Sequence, residues 1–271
     1  MQDRDALTTL AWLVEAGADE AVAEAPVNRL MAKPPAPAAP VPAMPRAAAP
    51  RTAPLPAPSA GNDAIGDAMR VAAAARNLEE LKAAMEAFEG SALKRAATNT
   101  VFADGTPGGR VMFIGEAPGR DEDRIGKPFV GRAGQLLDKM LASIDLDRAR
   151  NCYITNVINW RPPDNRDPSP DEAAICLPFL RRHIELANPG VIILLGAVAA
   201  RHVMGITEGI MRTRGRWLEY RVGNAMVPVM PTLHPAYLLR QPAHKKLAWR
   251  DLQAVVSRME SLGLPEPARA G

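Results

Sequence analysis

The sequence is poor in cysteine, in aromatic residues and in long apolar runs. Its two cysteines, Cys152 and Cys176, are too few for a disulfide scaffold or for a metal site with four thiolate ligands. Aromatic residues make up 4% of the chain, so aliphatic side chains must fill the core. The longest apolar run, Val191 to Ala200, is shorter than the ~20 residues that span a bilayer. The acidic start lacks the basic region of a signal peptide. We therefore expect a cytoplasmic protein without a membrane segment.

Charge is nearly balanced over the whole chain but not along it. The formal net charge is +3, while residues 201–250 hold nine basic and two acidic side chains. A basic stretch inside a nearly neutral domain indicates a surface that faces a polyanion. The alternative is an ordinary solvated face, and charge alone leaves both open.

Proline is abundant in one segment. Ten of the 26 prolines lie between Pro34 and Pro58, in a stretch that is otherwise mostly alanine. Such a segment cannot bury a core and favours extended polyproline II, so we predict a linker over 33–62. Before it, apolar residues at helical spacing predict an amphipathic helix segment over 1–32, which either docks on a partner protein or packs on its own domain.

The remainder, 63–271, alternates between strand and helix patterns. Strands are predicted at 110–114, 152–157, 191–195 and 227–230, and helices at 77–90, 134–144, 170–187, 197–204 and 244–261. This alternation predicts an α/β domain, a three-layer α/β/α sandwich around a four-stranded parallel sheet.

Three polar residues follow predicted strands. Glu116 comes after the first, Asn156 ends the second and His234 comes after the fourth. Each alone is unremarkable in a loop. Because ligands bind at the carboxyl ends of parallel strands, the three together predict a site.

Four motifs surround these residues: Gly115-Glu-Ala-Pro-Gly119, Gly126-Lys-Pro-Phe-Val-Gly-Arg-Ala-Gly134, Asn156 with Arg161-Pro-Pro163, and His234-Pro-Ala-Tyr-Leu-Leu-Arg240. Together they resemble the uracil-DNA glycosylase superfamily, and within it the family 4 branch. The resemblance covers roughly residues 85–262.

The resemblance implies a monofunctional enzyme that hydrolyses the N-glycosidic bond of a flipped uracil and leaves an abasic site. Glu116 and His234 would be catalytic, the first on the sugar side and the second at the uracil oxygen. Phe129 would stack on uracil and Asn156 would read its polar edge, although a core phenylalanine and a turn asparagine are the alternatives. Backbone N–H groups from Ala117 to Gly119 would face the uracil or a phosphate.

Nearby charged residues offer other assignments. Asp121, Glu122 or Asp123 could replace Glu116 as the base, although acidic residues in a first helical turn are common helix stabilisers. Lys127 is read as a phosphate or surface contact rather than as an imine-forming nucleophile.

The resemblance also implies contacts with uracil-containing DNA, single- or double-stranded. Leu238 and Leu239 lie where the superfamily inserts an apolar wedge, and we expect one of them to do so while the other packs in the core. The expected phosphate contacts are Arg132, Arg240, Lys245 and Lys246, together with Arg212, Arg214 and Arg216.

One family feature is missing from the sequence. Family 4 members carry four cysteines that hold an iron–sulfur cluster, and here Cys176 matches the fourth of them. Trp160 stands at the third position, and Ser91 lies near where an earlier one is expected. Since such clusters need four cysteine ligands, we predict no cofactor and no metal, with Trp160 and its neighbours filling the space.

Two other functions stay open at this point. The missing cysteines and the unusual N-terminal segment fit a non-catalytic or product-holding protein that recognises uracil or abasic sites. A glycosylase for another deaminated base, such as hypoxanthine, is a further alternative. We expect a monomer, with a repair or replication protein as the candidate partner of the N-terminal helix.

Overall fold

The computed structural model describes residues 60–108 and 111–264. The predicted N-terminal helix segment and the predicted linker up to residue 59 lie outside these ranges. The first described helix, α1 (Ala60–Ala74), begins inside the predicted linker of 33–62 and was not predicted. No helix within the described ranges is long and apolar enough to cross a membrane.

Six strands form one mixed sheet. They are β1 (Asp104–Gly105), β2 (Val111–Gly115), β3 (Cys152–Asn156), β4 (Val191–Leu195), β5 (Leu218–Val222) and β6 (Ala225–Thr232), in the order β1-β3-β2-β4-β6-β5. The four predicted strands are the four parallel ones, β3-β2-β4-β6. The prediction of a four-stranded, all-parallel sheet was wrong at both edges, where β1 and β5 pair antiparallel.

The two edge strands escaped prediction for different reasons. β1 has two residues, too few to show any periodicity. β5 alternates between exposed and partly buried residues and returns into β6 through Gly223-Asn224, with Gly223 at φ 56. A glycine with positive φ is typical of a two-residue hairpin turn, so this strand had a readable signal.

Helices cover both faces of the sheet and make the predicted three layers. Besides α1 they are α2 (Leu78–Ala87), α3 (Ala92–Ala96), α4 (Arg120–Ile125), α5 (Arg132–Ala142), α6 (Pro170–Ala187), α7 (Ala197–Met204), α8 (Ile210–Thr213), α9 (Pro235–Arg240) and α10 (Lys245–Ser261). Short 3-10 turns span Pro163–Asn165 and Pro242–His244. The longest of these helices, α6, starts at a capping box in which Ser169 and Glu172 satisfy each other's backbone N–H groups.

Alternate residues of each central strand enter different cores, as the two-residue period of a strand requires. Met112 and Ile114 of β2 pack with α1, α2, α6 and α7. Val111 and Phe113 face the opposite way and pack with α5 and α10. Both cores are largely aliphatic, and they hold the carboxyl ends of the parallel strands at one edge, where the cleft described next opens.

Candidate active site

A cleft of about 680 Å³ opens at the carboxyl ends of β2, β3, β4 and β6. Its volume is in the range of small-ligand sites. All six residues predicted to be catalytic or to bind uracil line it together: Glu116, Ala117, Gly119, Phe129, Asn156 and His234. The structure therefore brings the residues of four separate sequence motifs into one cavity.

Glu116 lies half-buried in this cleft, directly after β2. Burial raises the pKa of its carboxyl group, repulsion from Asp167 raises it further, and Arg201 opposes both effects. A carboxylate with a raised pKa holds a proton more readily than an ordinary surface glutamate, which suits it to act as a base.

The acidic residues that follow Glu116 have structural partners. Glu122 accepts hydrogen bonds from the backbone N–H groups of Gly119, Val130 and Gly131, at 3.1, 3.0 and 2.9 Å. Asp123 is buried and accepts two more from Thr98 and Asn99, at 2.8 and 3.0 Å. Asp121 is exposed and lies 3.7 Å from Arg124. Among these carboxylates, Glu122 and Asp123 are therefore engaged in holding loops.

Asn156 forms the floor of the cleft. Its side chain is 2% exposed, and its Oδ1 has no hydrogen-bond partner among the described residues. Gly115 lies beside it in the register of β2 and β3, and a Cβ there would collide with Asn156 Oδ1 and the Phe129 ring. A buried acceptor without a hydrogen bond lowers the stability of the fold. The Asn156 Oδ1 is therefore well placed to accept a hydrogen bond from a ligand.

Phe129 closes one wall, and its backbone is held in an unusual conformation. It has φ 54, in the left-handed region that non-glycine residues rarely adopt. Arg148 donates to the carbonyl oxygens of Pro128 and Phe129, at 2.8 and 2.5 Å. A Cβ at Gly134 would overlap the Phe129 carbonyl, which explains the glycine at that position. The ring itself is 6% exposed and lines the cleft.

His234 caps α9 opposite Phe129, with the two ring centres 5.6 Å apart. Its Nδ1 accepts a hydrogen bond from the Ala236 N–H at 3.1 Å, so the proton of the neutral ring is on Nε2. Burial, with a smaller contribution from Arg240, lowers the pKa of His234 to about 4. At neutral pH this histidine is therefore an uncharged donor.

The two leucines of the last motif have different environments. Leu238 is 1% exposed and packs with Leu233 and Ala248, whereas Leu239 is 38% exposed. Arg240 lines the cleft beside them. The geometry therefore leaves Leu239, and not Leu238, available to touch DNA.

The basic residues expected to contact DNA differ in exposure and in ion pairing. Arg132, Lys245 and Lys246 are exposed but lie outside the cleft lining. Arg214 was wrongly expected to contact phosphate: it is 14% exposed and pairs with the buried Asp251. Residue type alone does not separate a surface arginine from one in a buried ion pair.

The space around Cys176 does not fit an iron–sulfur cluster. Trp160 is 1% exposed there and stacks on Phe88 with ring centres 6.5 Å apart, while Phe88 meets Phe179 edge-on at 5.1 Å. Burial raises the pKa of the Cys176 thiol to about 12, so it is protonated. Among the residues that the structure describes, no three potential ligands come together as a metal site. A cluster of this kind needs four cysteine ligands, and Cys176 is the one cysteine in this packed aromatic region of the described structure.

Three residues near the site were not recognised in the sequence. Asp167 and Arg201 shift the pKa of Glu116 in opposite directions, and Arg148 holds the Phe129 loop. Asp167 and Arg201 belong to a loop and a helix that reach the cleft only through the fold. Arg148 lies in a charged turn that resembles an ordinary surface, so no local signal marked it.

Comparison with known proteins gives consistent matches. The family model described as the uracil DNA glycosylase superfamily matches residues 102–253. The chain is 40% identical over 169 residues to a type-4 uracil-DNA glycosylase of Thermotoga maritima, which covers 61% of this chain and 86% of the relative. It is 44% identical over 154 residues to one of Archaeoglobus fulgidus, covering 55% and 77%. It is 37% identical over 184 residues to one of Sulfurisphaera tokodaii, covering 66% and 83%.

Proposed function

This chain belongs to the uracil-DNA glycosylase superfamily, and we propose that it is a monofunctional uracil-DNA glycosylase of base excision repair. The observation that carries the proposal is the unpartnered, buried Oδ1 of Asn156, which lies in one cleft with Glu116, Phe129 and His234. Its substrate is DNA, single- or double-stranded, with the uracil nucleotide flipped into the cleft. The monomeric state and a repair or replication partner of the N-terminal segment stay predictions.

Asn156 selects uracil by its polar edge. Uracil presents an N3–H donor between two carbonyl oxygens, so the Asn156 Oδ1 accepts from N3–H while its Nδ2 donates to the neighbouring oxygen. Cytosine has an acceptor at N3 and an amino group beside it, which opposes donor to donor and acceptor to acceptor. A buried amide left unpaired in this way strongly disfavours the wrong base. The Phe129 ring stacks on the base face.

Glu116 and His234 stabilise the opposite charges that develop on the sugar and on the uracil. A water oxygen attacks C1′ of the deoxyribose while the C1′–N1 bond breaks and its electron pair moves to the uracil. The Glu116 carboxylate stabilises the cationic sugar and takes the water proton. The His234 Nε2–H donates to the uracil O2 as negative charge develops there, which is preorganised electrostatic stabilisation. Among the described residues that line the cleft there is no lysine, which supports hydrolysis rather than imine formation.

Leu239 and the exposed cations contact the DNA strand. Leu239 enters the base stack from the end of α9, in the space that the flipped nucleotide vacates. Arg240 at the cleft rim, with Arg132, Lys245 and Lys246, neutralises phosphates. Leu238 supports this helix from the core side.

The test is excision of uracil from a single-uracil oligonucleotide, read as strand scission after alkali. Glu116→Gln should lower the single-turnover rate by about 10²–10⁴-fold, the usual loss for a positioned base. His234→Ala should lower it by about 10²–10³-fold, the loss seen when one oxyanion donor is removed. The matched control is Asp121→Asn, an exposed carboxylate five residues after Glu116, which should leave the rate within about twofold. A wild-type rate in Glu116→Gln or His234→Ala, or a large loss in Asp121→Asn, would contradict the assignments, and tight binding without release would favour a damage-recognition protein.

A further inference from the structure

A second depression, separate from the cleft, lies between α5 and α10. It has a volume of about 240 Å³, and its walls are mainly apolar. Its lining includes Leu136, Lys139, Met140, Leu238, Lys245 and Trp249. We call it the Trp249 groove.

The Trp249 groove and the cleft share α9 as a wall. Leu238 of that helix lines the groove, whereas Tyr237 and Arg240 line the cleft. A six-residue helix therefore separates the groove from the cleft that takes the flipped nucleotide. The inference drawn from this position rests on the proposed function.

Trp249 is exposed in a way that the other described tryptophans are not. It is 42% exposed, among the larger apolar side chains on the surface. Trp160 is buried and donates to Thr100, and Trp217 is covered by the Arg258 guanidinium at 4.7 Å. A large exposed aromatic surface beside an apolar groove is typical of a binding site.

The two helices that form the groove carry exposed cations. Lys139 lies on the groove wall of α5 and Lys245 on that of α10, and Lys246 and Arg250 follow on the same helix. All four are exposed, and none of them forms an ion pair within the described ranges. An apolar floor with a cationic rim complements a ligand that has flat apolar faces and negative charge, which is the chemistry of a nucleotide strand.

We propose that the Trp249 groove is a second DNA subsite, in which an unpaired base at least two positions from the flipped nucleotide stacks on Trp249. Lys139 and Lys245 contact the phosphates on either side of that base. The groove provides a stacking surface and no buried polar group, so it accepts any base. It would add affinity for a single strand without changing the chemistry in the cleft.

The test compares uracil excision from a short and a long single strand. The short substrate is a trinucleotide with a central uracil, which cannot reach the groove, and the long one has about 15 nucleotides on each side of the uracil. Trp249→Ala should lower kcat/KM on the long strand by about 5- to 150-fold, the equivalent of the ~1–3 kcal/mol per base measured for aromatic stacking. It should leave the trinucleotide within about twofold. Trp249→Phe, which keeps an aromatic face, should restore most of the loss.

A charge variant and a control separate stacking from misfolding. Lys139→Gln should reduce the slope of log affinity against log salt on a thymine 15-mer by about 0.7, the value for one phosphate of a single strand. Leu262→Ala removes a side chain that is 45% exposed at the far end of α10 and should change neither assay. Thermal unfolding of every variant checks that the fold is intact.

Two outcomes overturn different statements. If the wild type prefers the long strand and Trp249→Ala does not reduce that preference, the groove proposal is wrong while the proposed function stands. If the wild type excises uracil from neither strand, the proposed function fails. In that case, binding of the uracil-free thymine 15-mer still decides on the groove, because equal affinity of wild type and Trp249→Ala would refute it.

Discussion

Replacing Asn156 by leucine should remove the activity and stabilise the protein. Among the described residues the buried Asn156 Oδ1 has no hydrogen-bond partner, and a buried acceptor left unpaired costs about 1–3 kcal/mol. Leucine has a similar size and no polar atom, so Asn156→Leu should raise the unfolding free energy by about 1 kcal/mol or more. For a domain of about 200 residues, each kcal/mol corresponds to a Tm increase of about 2–4 °C. Uracil excision should fall to background, because nothing then reads the uracil edge.

Asn159 provides the matched control, three residues further along the same segment. It is also 2% exposed, but its Nδ2 donates to the carbonyl oxygens of Val101 and Phe102, at 2.9 and 3.4 Å. Asn159→Leu should therefore lower the unfolding free energy by about 1–3 kcal/mol, since it leaves buried carbonyls unpaired. Urea unfolding at pH 7 measures both variants. A loss of more than about 1 kcal/mol in Asn156→Leu would show instead that the Oδ1 has a hydrogen-bond partner in the free protein.

Three further predictions concern pH and duplex DNA. Asp167→Asn removes a repulsion that raises the pKa of Glu116, so the acid limb of the rate–pH profile should move to lower pH, while Arg201→Gln should move it to higher pH; shifts in the same direction would contradict the assignment. Burial lowers the pKa of His183 to about 3, below its unfolded value of about 6.5, so the unfolded chain binds more protons between these values and stability falls as pH drops through that window. His183→Gln should flatten the pH dependence of the unfolding free energy between pH 6 and 4, by up to about 1.4 kcal/mol per pH unit in urea titrations, and an unchanged slope would disprove it. Leu239→Ala should reduce excision from duplex more than from single-stranded DNA, and equal losses would exclude the wedge role.

Strong local periodicity made most of the central fold predictable. The predicted bounds of α6, β4 and α7 coincide with those of the structure, because caps and turn residues bracket each of these segments. The antiparallel edge strands were missed, because β1 is too short to show a period and β5 was not recognised beside its turn. α1 was missed because it begins within a segment that was predicted to be a linker from its proline and alanine content.

The part of the site that could be predicted from the sequence consists of polar residues at the ends of strands. Glu116, Asn156 and His234 could be placed together because parallel strands bring their carboxyl ends to one edge. The residues that shift their pKa values or hold their loops could not be predicted in this way. Arg148 holds the Phe129 loop over a separation of about twenty positions, and the ion pair of Arg214 with Asp251 spans 37 positions. Such contacts depend on tertiary packing, and sequence periodicity carries no information about it.

Release of uracil by direct hydrolysis in one cleft is distinguished from imine chemistry by its products. A uracil oligonucleotide would be incubated with excess wild-type protein, with and without borohydride, and the products separated and identified by mass spectrometry. We expect free uracil, an intact strand with one abasic site, and no covalent protein–DNA adduct. A borohydride-trapped adduct, a cleaved strand, or a uracil strand bound but unchanged would contradict it.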